Sequence, residues 1–441
     1  MKISSWGKYP LIEGEVRSFG SEEDLGRFIR NLSPWIPRGL GRSYGDSSLS
    51  ANMVSTLKWN RFLSFDEKSG RLHCQAGVSF EEILEVFVPR GWFPPVTPGT
   101  KFITVGGAVA SDVHGKNHHK EGSFSKHLES FRLLTPSGDV KTCSRAENFP
   151  LFEASCGGMG LTGVILDASF RMRRIETSYI RQTSLRANNL DEIFRSFEEH
   201  RNATYSVAWV DCLARGKHTG RSLLLLGEHA SLKDLKGSRH EKELLKTHRT
   251  KKINIPFSMP GFMINSLSVR IFNWIYYRRV PAGIHTSFIH YDPYFYPLDA
   301  ISNWNRLYGK RGFTQYQLVL PAEKSFDGLE KILDLVSRNG LGSPLTVLKA
   351  FGSENGMLSF PMEGYTLALD FPISNNLFSL LDSLDTIVQE CGGRVYLSKD
   401  CRMTADAVKR GYPRLEEFLK IRQELDGDKR LKSMQSERLN I

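Results

Sequence analysis

The texture of apolar and polar positions changes along this chain, and the changes divide it. Over the first ~175 residues short helical and strand-like patterns alternate. Ser21-Glu22-Glu23-Asp24 and Ser79-Phe80-Glu81-Glu82 each set an acid three residues after a serine, which marks a helix start. Strand-like runs lie at Arg71 to Val78, at Ser130 to Thr135 ahead of a Pro-Ser-Gly-Asp turn, and at Gly163 to Met172. From about Tyr179 to Gly393 the strands lengthen: Tyr205 to Asp211, Ser222 to Gly227, Phe313 to Leu320, Leu345 to Phe351 and Tyr365 to Phe371. Helical patterns at Leu190 to His200, Ala322 to Arg338 and Asn376 to Cys391 separate them, the last stopped by Gly392 and Gly393. An antiparallel sheet backed by helices is the simplest packing for this part, so the fold class is α+β. The tail from Arg394 reads as one strand followed by helices at Thr404 to Arg410 and Pro413 to Leu425.

One segment breaks the pattern. Lys233 to Lys252 is dense in Lys, Arg and His, and Ile253 to Val280 is then apolar and aromatic. Cations beside aromatic and aliphatic residues suit the headgroup boundary of a membrane, with a solvated basic loop and a core segment as the alternative. Arg270, Pro256 and Pro260 argue against a span.

At 441 residues with 40% hydrophobic content, two domains with substantial cores are expected. No apolar run is long enough to cross a bilayer and the first residues read as no secretory segment, so cytoplasmic synthesis is expected. The six cysteines lack metal or disulfide-framework spacing and read as free thiols. A net charge of +11 favours anionic partners without choosing among them.

Candidate chemistry lies in four glycine loops within ~130 residues. Thr104 to His119 reads T-V-G-G-A-V-A-S-D-V-H-G-K-N-H-H; its small residues let main-chain N–H groups approach a large flat ligand, read here as a flavin. His114 and Lys116 add polar or cationic groups. The loop Arg38, Gly39, Leu40, Gly41, Arg42, Ser43, Tyr44, Gly45 suits a diphosphate, and its glycine spacing is not that of a nicotinamide-binding helix. Pro98-Gly99-Thr100 and Gly157 to Gly163 complete the set. His114, His118 and His119 have no carboxylate or cysteine at supporting spacing, and no metal is expected.

These loops, in this order, resemble the flavoprotein family typified by vanillyl-alcohol oxidase, whose FAD domain has the p-cresol-methylhydroxylase-type fold. R-G-L-G-R-S-Y-G-D, P-G-T, V-G-G-A-V-A-S-D-V-H-G-K-N-H-H, G-L-T-G, W-N-R, Q-Y-Q, D-F-P-I and Tyr396-Leu397-Ser398-Lys399-Asp400 narrow the likeness to the decaprenylphosphoryl-β-D-ribose 2-oxidases, over nearly the whole chain. The resemblance implies an FAD-binding domain at 1–177, a substrate domain at 178–393 and a segment at 394–441 that returns to the FAD domain. It implies non-covalent FAD along residues 38–45, Gly99, Thr104, Val105, Gly106, Gly107, Ser111 and His114, with Ile165 and Tyr396 completing the pocket. By the same likeness Lys399 polarises or deprotonates a C2 hydroxyl, with an ion pair to Asp400 as the alternative. His114 orients substrate or cofactor, and Tyr44 hydrogen-bonds beside them or packs on its loop. Lys116, Gln315, Gln317 and Lys349 face the sugar and its phosphate, and Arg306 pairs with the phosphate. Where mycobacterial members carry a cysteine beside the flavin, this chain has Ala368.

The implied activity is oxidation of a polyprenyl-phosphate-linked ribose to the 2-keto sugar, the first half of an epimerisation to the arabinose form. An NAD(P)H-dependent keto-reductase would finish it, a quinone or other carrier would take the electrons, and the chain would associate peripherally with the inner membrane and not with nucleic acid. An aldonolactone or alditol oxidase acting on a soluble sugar with oxygen is the alternative.

Overall fold

The computed structural model describes residues 1–247 and 253–441. Residues 248–252, the end of the basic run, lie outside the described residues. The first part is built on two sheets. Strands Glu15–Ser18, Asn52–Ser55 and Trp35–Arg38 form a parallel sheet. Strands Val140–Ser144, Leu128–Leu134, Val164–Arg171, Arg71–Gln75 and Phe62–Asp66, in that order, form an antiparallel one. Both serine-led helix starts are realised: Ser21 caps Glu22–Arg30, and Ser79 closes a capping box with Glu82 ahead of Phe80–Phe87. The run expected through Val78 ends as a strand at Gln75, because the chain turns at Gly77. A Cβ there would lie 2.2 Å from the Thr56 carbonyl oxygen.

The second part is an eight-stranded antiparallel sheet: His285–His290, Tyr179–Ala187, Ser222–His229, Tyr205–Val210, Thr346–Phe351, Gly364–Pro372, Phe313–Pro321 and Arg394–Val395. Helices Leu190–Glu199, Ala322–Asn339 and Leu377–Glu390 pack on one face. They bury Ile193, Ile332, Leu333, Leu380 and Leu384 against Tyr316, Leu318 and Leu367. The antiparallel sheet backed by helices is therefore the architecture adopted.

The strand period of two then decides the other face. Gln315 pairs with Asp370, Gln317 with Ala368 and Lys349 with Thr366, so these six residues share the side turned away from the helices. The tail crosses from this sheet to the first part. Arg394–Val395 edges the large sheet, whereas Leu431 bridges to Trp35 of the parallel sheet. Beyond the two expected tail helices, realised as Ala405–Gly411 and Leu415–Leu425, a third runs over Met434–Leu439. Its six residues were too few to show a helical period in the sequence.

Candidate active site

Four glycine loops and the tail turn meet where the open face of the large sheet approaches the first part. The short helix Val105–Ala110 is capped by Thr104, whose hydroxyl accepts from the Gly107 amide. The first loop lies directly on that start: a Cβ on Gly39 would come within 2.4 Å of Thr104 Oγ1. The fourth loop closes its other end, with Gly157 and Met159 amides donating to Val109 and Ala110 carbonyls. Gly45 packs so tightly on the tail that a Cβ would stand 1.6 Å from the Asp400 carbonyl oxygen. The Tyr44 amide donates to the Ser398 carbonyl at 3.0 Å. Tyr396 ties the tail to the glycine helix by donating its hydroxyl to the Ser111 carbonyl at 2.8 Å. Ile165 is buried in the apolar cluster beneath that helix, with Val105 and Val109.

The residues present fit a flavin dinucleotide. Among the described residues the main-chain N–H groups of residues 39–43 donate to no internal acceptor, leaving five consecutive donors in a loop whose Gly41 sits at φ +64°. Such a run of unspent amides is an anion cradle. A Cβ on Gly99 would meet nothing within 4 Å, so that loop leaves space. Arg38 is placed differently from its expected role: its guanidinium donates to the Ser4 and Ser48 carbonyls and fixes the loop from behind. Arg42 stacks over Trp6 at 3.9 Å.

His114 is buried among Phe351, Phe360 and Tyr396. Burial holds it well below the usual imidazole pKa, and Lys349 and Lys399 push the same way, so it is neutral. Its tautomer follows from its neighbours. Thr366 spends its hydroxyl hydrogen on the Leu318 carbonyl and so accepts from Gln317 Nε2. That nitrogen also lies 3.0 Å from His114 Nε2, which must therefore accept. The hydrogen sits on His114 Nδ1, a buried donor with no partner among the described residues.

Three lysines converge on the same place. Lys399 Nζ lies 3.9 Å over the Tyr44 ring. Lys116 Nζ donates to the Tyr294 carbonyl and sits 4.3 Å from that ring, and Lys349 Nζ is 5.6 Å from the Phe351 ring. Burial depresses all three, and Lys349 depresses the other two further: Lys116 and Lys399 to about 7, Lys349 to about 8. Each keeps part of its surface accessible. A group of partly neutralised cations that weaken one another is a site prepared for an anion.

In the sequence Asp370 is simply the first residue of D-F-P-I on an apolar strand. It is fully buried, accepts from Gln315 Nε2 at 2.6 Å, and is pushed up to about 7 by burial, with Lys399 and Tyr308 opposing that rise. Nothing in the linear sequence marks an aspartate on an apolar strand as functional; only the pairing with Gln315 does. The Asp400 alternative for Lys399 is not what the fold adopts, since Asp400 accepts from Arg438 and from the Arg402 and Met403 amides. Gln317 is 3% exposed and Gln315 half-buried, so neither is a solvated surface residue. Arg306 donates from Nη1 to the Ile255 and Pro256 carbonyls.

Comparison with known proteins gives this geometry a setting. Residues 16–144 match the family described as an FAD binding domain. The chain is 35% identical, over 100% of its length and 97% of the relative's, to decaprenylphosphoryl-beta-D-ribose oxidase of Mycolicibacterium smegmatis. It is 33% identical to an uncharacterised protein of Streptomyces coelicolor, over 79% of this chain and 96% of that one. Similarity to the L-gulonolactone oxidase of Mus musculus is 25% and covers 45% of this chain and 46% of that enzyme.

Proposed function

From the premise that this chain belongs to the decaprenylphosphoryl-β-D-ribose oxidase family of FAD-binding proteins, we propose that it oxidises the C2 hydroxyl of a polyprenyl-phosphate-linked ribose to the 2-keto sugar. The observation that carries this reading is the cluster of Lys116, Lys349, Lys399 and His114 beside the two strand glutamines. A phosphosugar supplies both the anion and the hydroxyls that such a set is fitted to hold.

Bound FAD supplies the acceptor for the hydrogen that leaves C2. Residues 39–43, Gly99, Thr104 to Gly107, Ser111, Ile165 and Tyr396 would hold it without a covalent bond, and the unpartnered His114 Nδ1 would be a donor available to cofactor or substrate. The protein's own part is proton chemistry and placement. With a pKa near 7, Lys399 is substantially neutral at physiological pH and takes the hydroxyl proton on Nζ. Asp370 stabilises the ammonium so formed, and Gln315, which donates to Asp370, fixes the carboxylate's direction. Gln317 holds His114 in its tautomer and meets a sugar hydroxyl. Lys349 and Lys116 face the phosphate.

Residues 1–177, 178–393 and 394–441 are read as FAD domain, substrate domain and returning segment; sheet membership supports the first two, while the third starts as an edge strand of the large sheet at Arg394–Val395 and reaches the first part at Leu431. A keto-reductase using NAD(P)H completes the epimerisation, a quinone-type carrier removes the electrons, and the chain works at the inner-membrane surface. No helix among the described residues is long and apolar enough to cross a membrane. Anaerobic addition of a polyprenyl-phospho-ribose, ribitol or an aldonolactone to the flavin-loaded protein tests the reading. Bleaching of the flavin spectrum by the lipid-linked sugar alone is expected; bleaching by the soluble polyol or lactone instead would move the function to a soluble-sugar oxidase.

A further inference from the structure

The helix Ser266–Arg278 packs one side on the protein, where Tyr276 and Tyr277 lie against Trp209, Leu223 and Val280, and leaves a second, apolar side uncovered. Its inward side carries Val269 and a buried Asn273, whose amide donates to Asp211 at 2.6 Å. The side away from the protein carries Leu267, Ile271, Trp274 and Ile275, exposed by 67%, 52%, 49% and 58%. Positions 267, 271, 274 and 275 follow the helical repeat, so they form one stripe. Residues of this size in water at helical spacing are the reverse of a soluble helix and mark a surface meant to be covered.

The rim of the stripe says what covers it. Arg270, Arg278 and Arg279 are exposed along the same helix and its end, and Arg278 lies 4.2 Å over the Trp274 ring. An indole capped by a guanidinium on an apolar stripe suits a layer that is apolar within and anionic at its surface. A second copy of the chain would bring the same three arginines against one another. The helix is also joined to the candidate site. The chain leading into it pairs Ile253–Asn254 with Ile301–Ser302 and donates the Met259 amide to the Arg306 carbonyl, at the turn that ends in Tyr308 beside Asp370.

We propose that the helix Ser266–Arg278 docks on an anionic phospholipid bilayer, sinking the stripe of Leu267, Ile271, Trp274 and Ile275 into the headgroup boundary so that a lipid-borne substrate reaches the site without leaving the membrane. Delivery of substrate from the membrane rests on the lipid-linked substrate; the docking does not.

The test uses the full flavin-loaded chain and vesicles of phosphatidylcholine alone or with one third phosphatidylglycerol, followed by co-sedimentation. Wild type is expected to bind the anionic vesicles. Ile271→Glu with Ile275→Glu should weaken binding roughly tenfold or more, and Arg270→Gln with Arg278→Gln should weaken it and remove its salt dependence. These positions face solvent, and unchanged melting temperatures verify the fold of the variants. No binding by wild type, or equal binding by the double glutamate variant, overturns the proposal. So does a lipid-free dimer, seen by light scattering, that the same glutamates dissolve, which would make a second copy the occupant. The vesicles contain no sugar substrate, so a protein that docks yet oxidises no lipid-linked pentose removes the activity reading and leaves this one standing.

Discussion

Lys399 is set for its task by opposing neighbours. Burial lowers it, Lys349 lowers it further and Asp370 raises it, with a result near 7. Because the base must be neutral while Lys349 must stay charged for the phosphate, kcat/KM is expected to rise as pH passes through about 7 and to fall above about 8. Removing the Asp370 charge in Asp370→Asn takes away the raising influence, so the rise should move to lower pH; an unmoved profile would show that the carboxylate does not act on the lysine. Lys399→Ala should cost about 10²–10⁴ in kcat, measured as the anaerobic rate of flavin bleaching. Little of this was legible beforehand. The likeness of motifs pointed to Lys399, but Asp370 reads as one more residue of an apolar strand until the register sets it against Gln315.

At the scale of elements, the site exists because loops from distant parts of the chain lie in contact. Gly45 is the tightest joint, and Gly45→Ala should destabilise the fold by about 3 kcal/mol, since main chain must move to admit the methyl. Thermal melting of the flavin-loaded protein measures this. Asn273→Ala removes a buried donor to Asp211 and should cost about 1–3 kcal/mol, although it touches nothing at the site. Helices and strands with clear periods were readable from the sequence, as were the glycine loops. The helix Ser266–Arg278 was not legible as one, because Leu267, Ile271, Trp274 and Ile275 face outward while polar Asn273 shares the inward side with Val269, so no single apolar face stands out.

For the whole molecule, depressed lysines carry a stability consequence. In the unfolded chain Lys116, Lys349 and Lys399 titrate near 10.4, but in the fold near 7 to 8. Between those values the unfolded state binds more protons, so the contribution of these groups to stability rises with pH from about 7 toward 10. An anion bound among them favours the protonated lysines, so inorganic phosphate should raise the melting temperature more at pH 7 than at pH 9. The +11 charge of the chain prepared for an anion without locating it; the cluster locates it. The proposed reaction is oxidation at C2 of a lipid-linked pentose. It is tested most directly by anaerobic stopped-flow reduction of the flavin with polyprenyl-phospho-ribose carrying deuterium at C2. A slowed flavin reduction, with loss of that deuterium from a 2-keto product, is the expected result. Reduction at an unchanged rate with the deuterium retained would contradict the account.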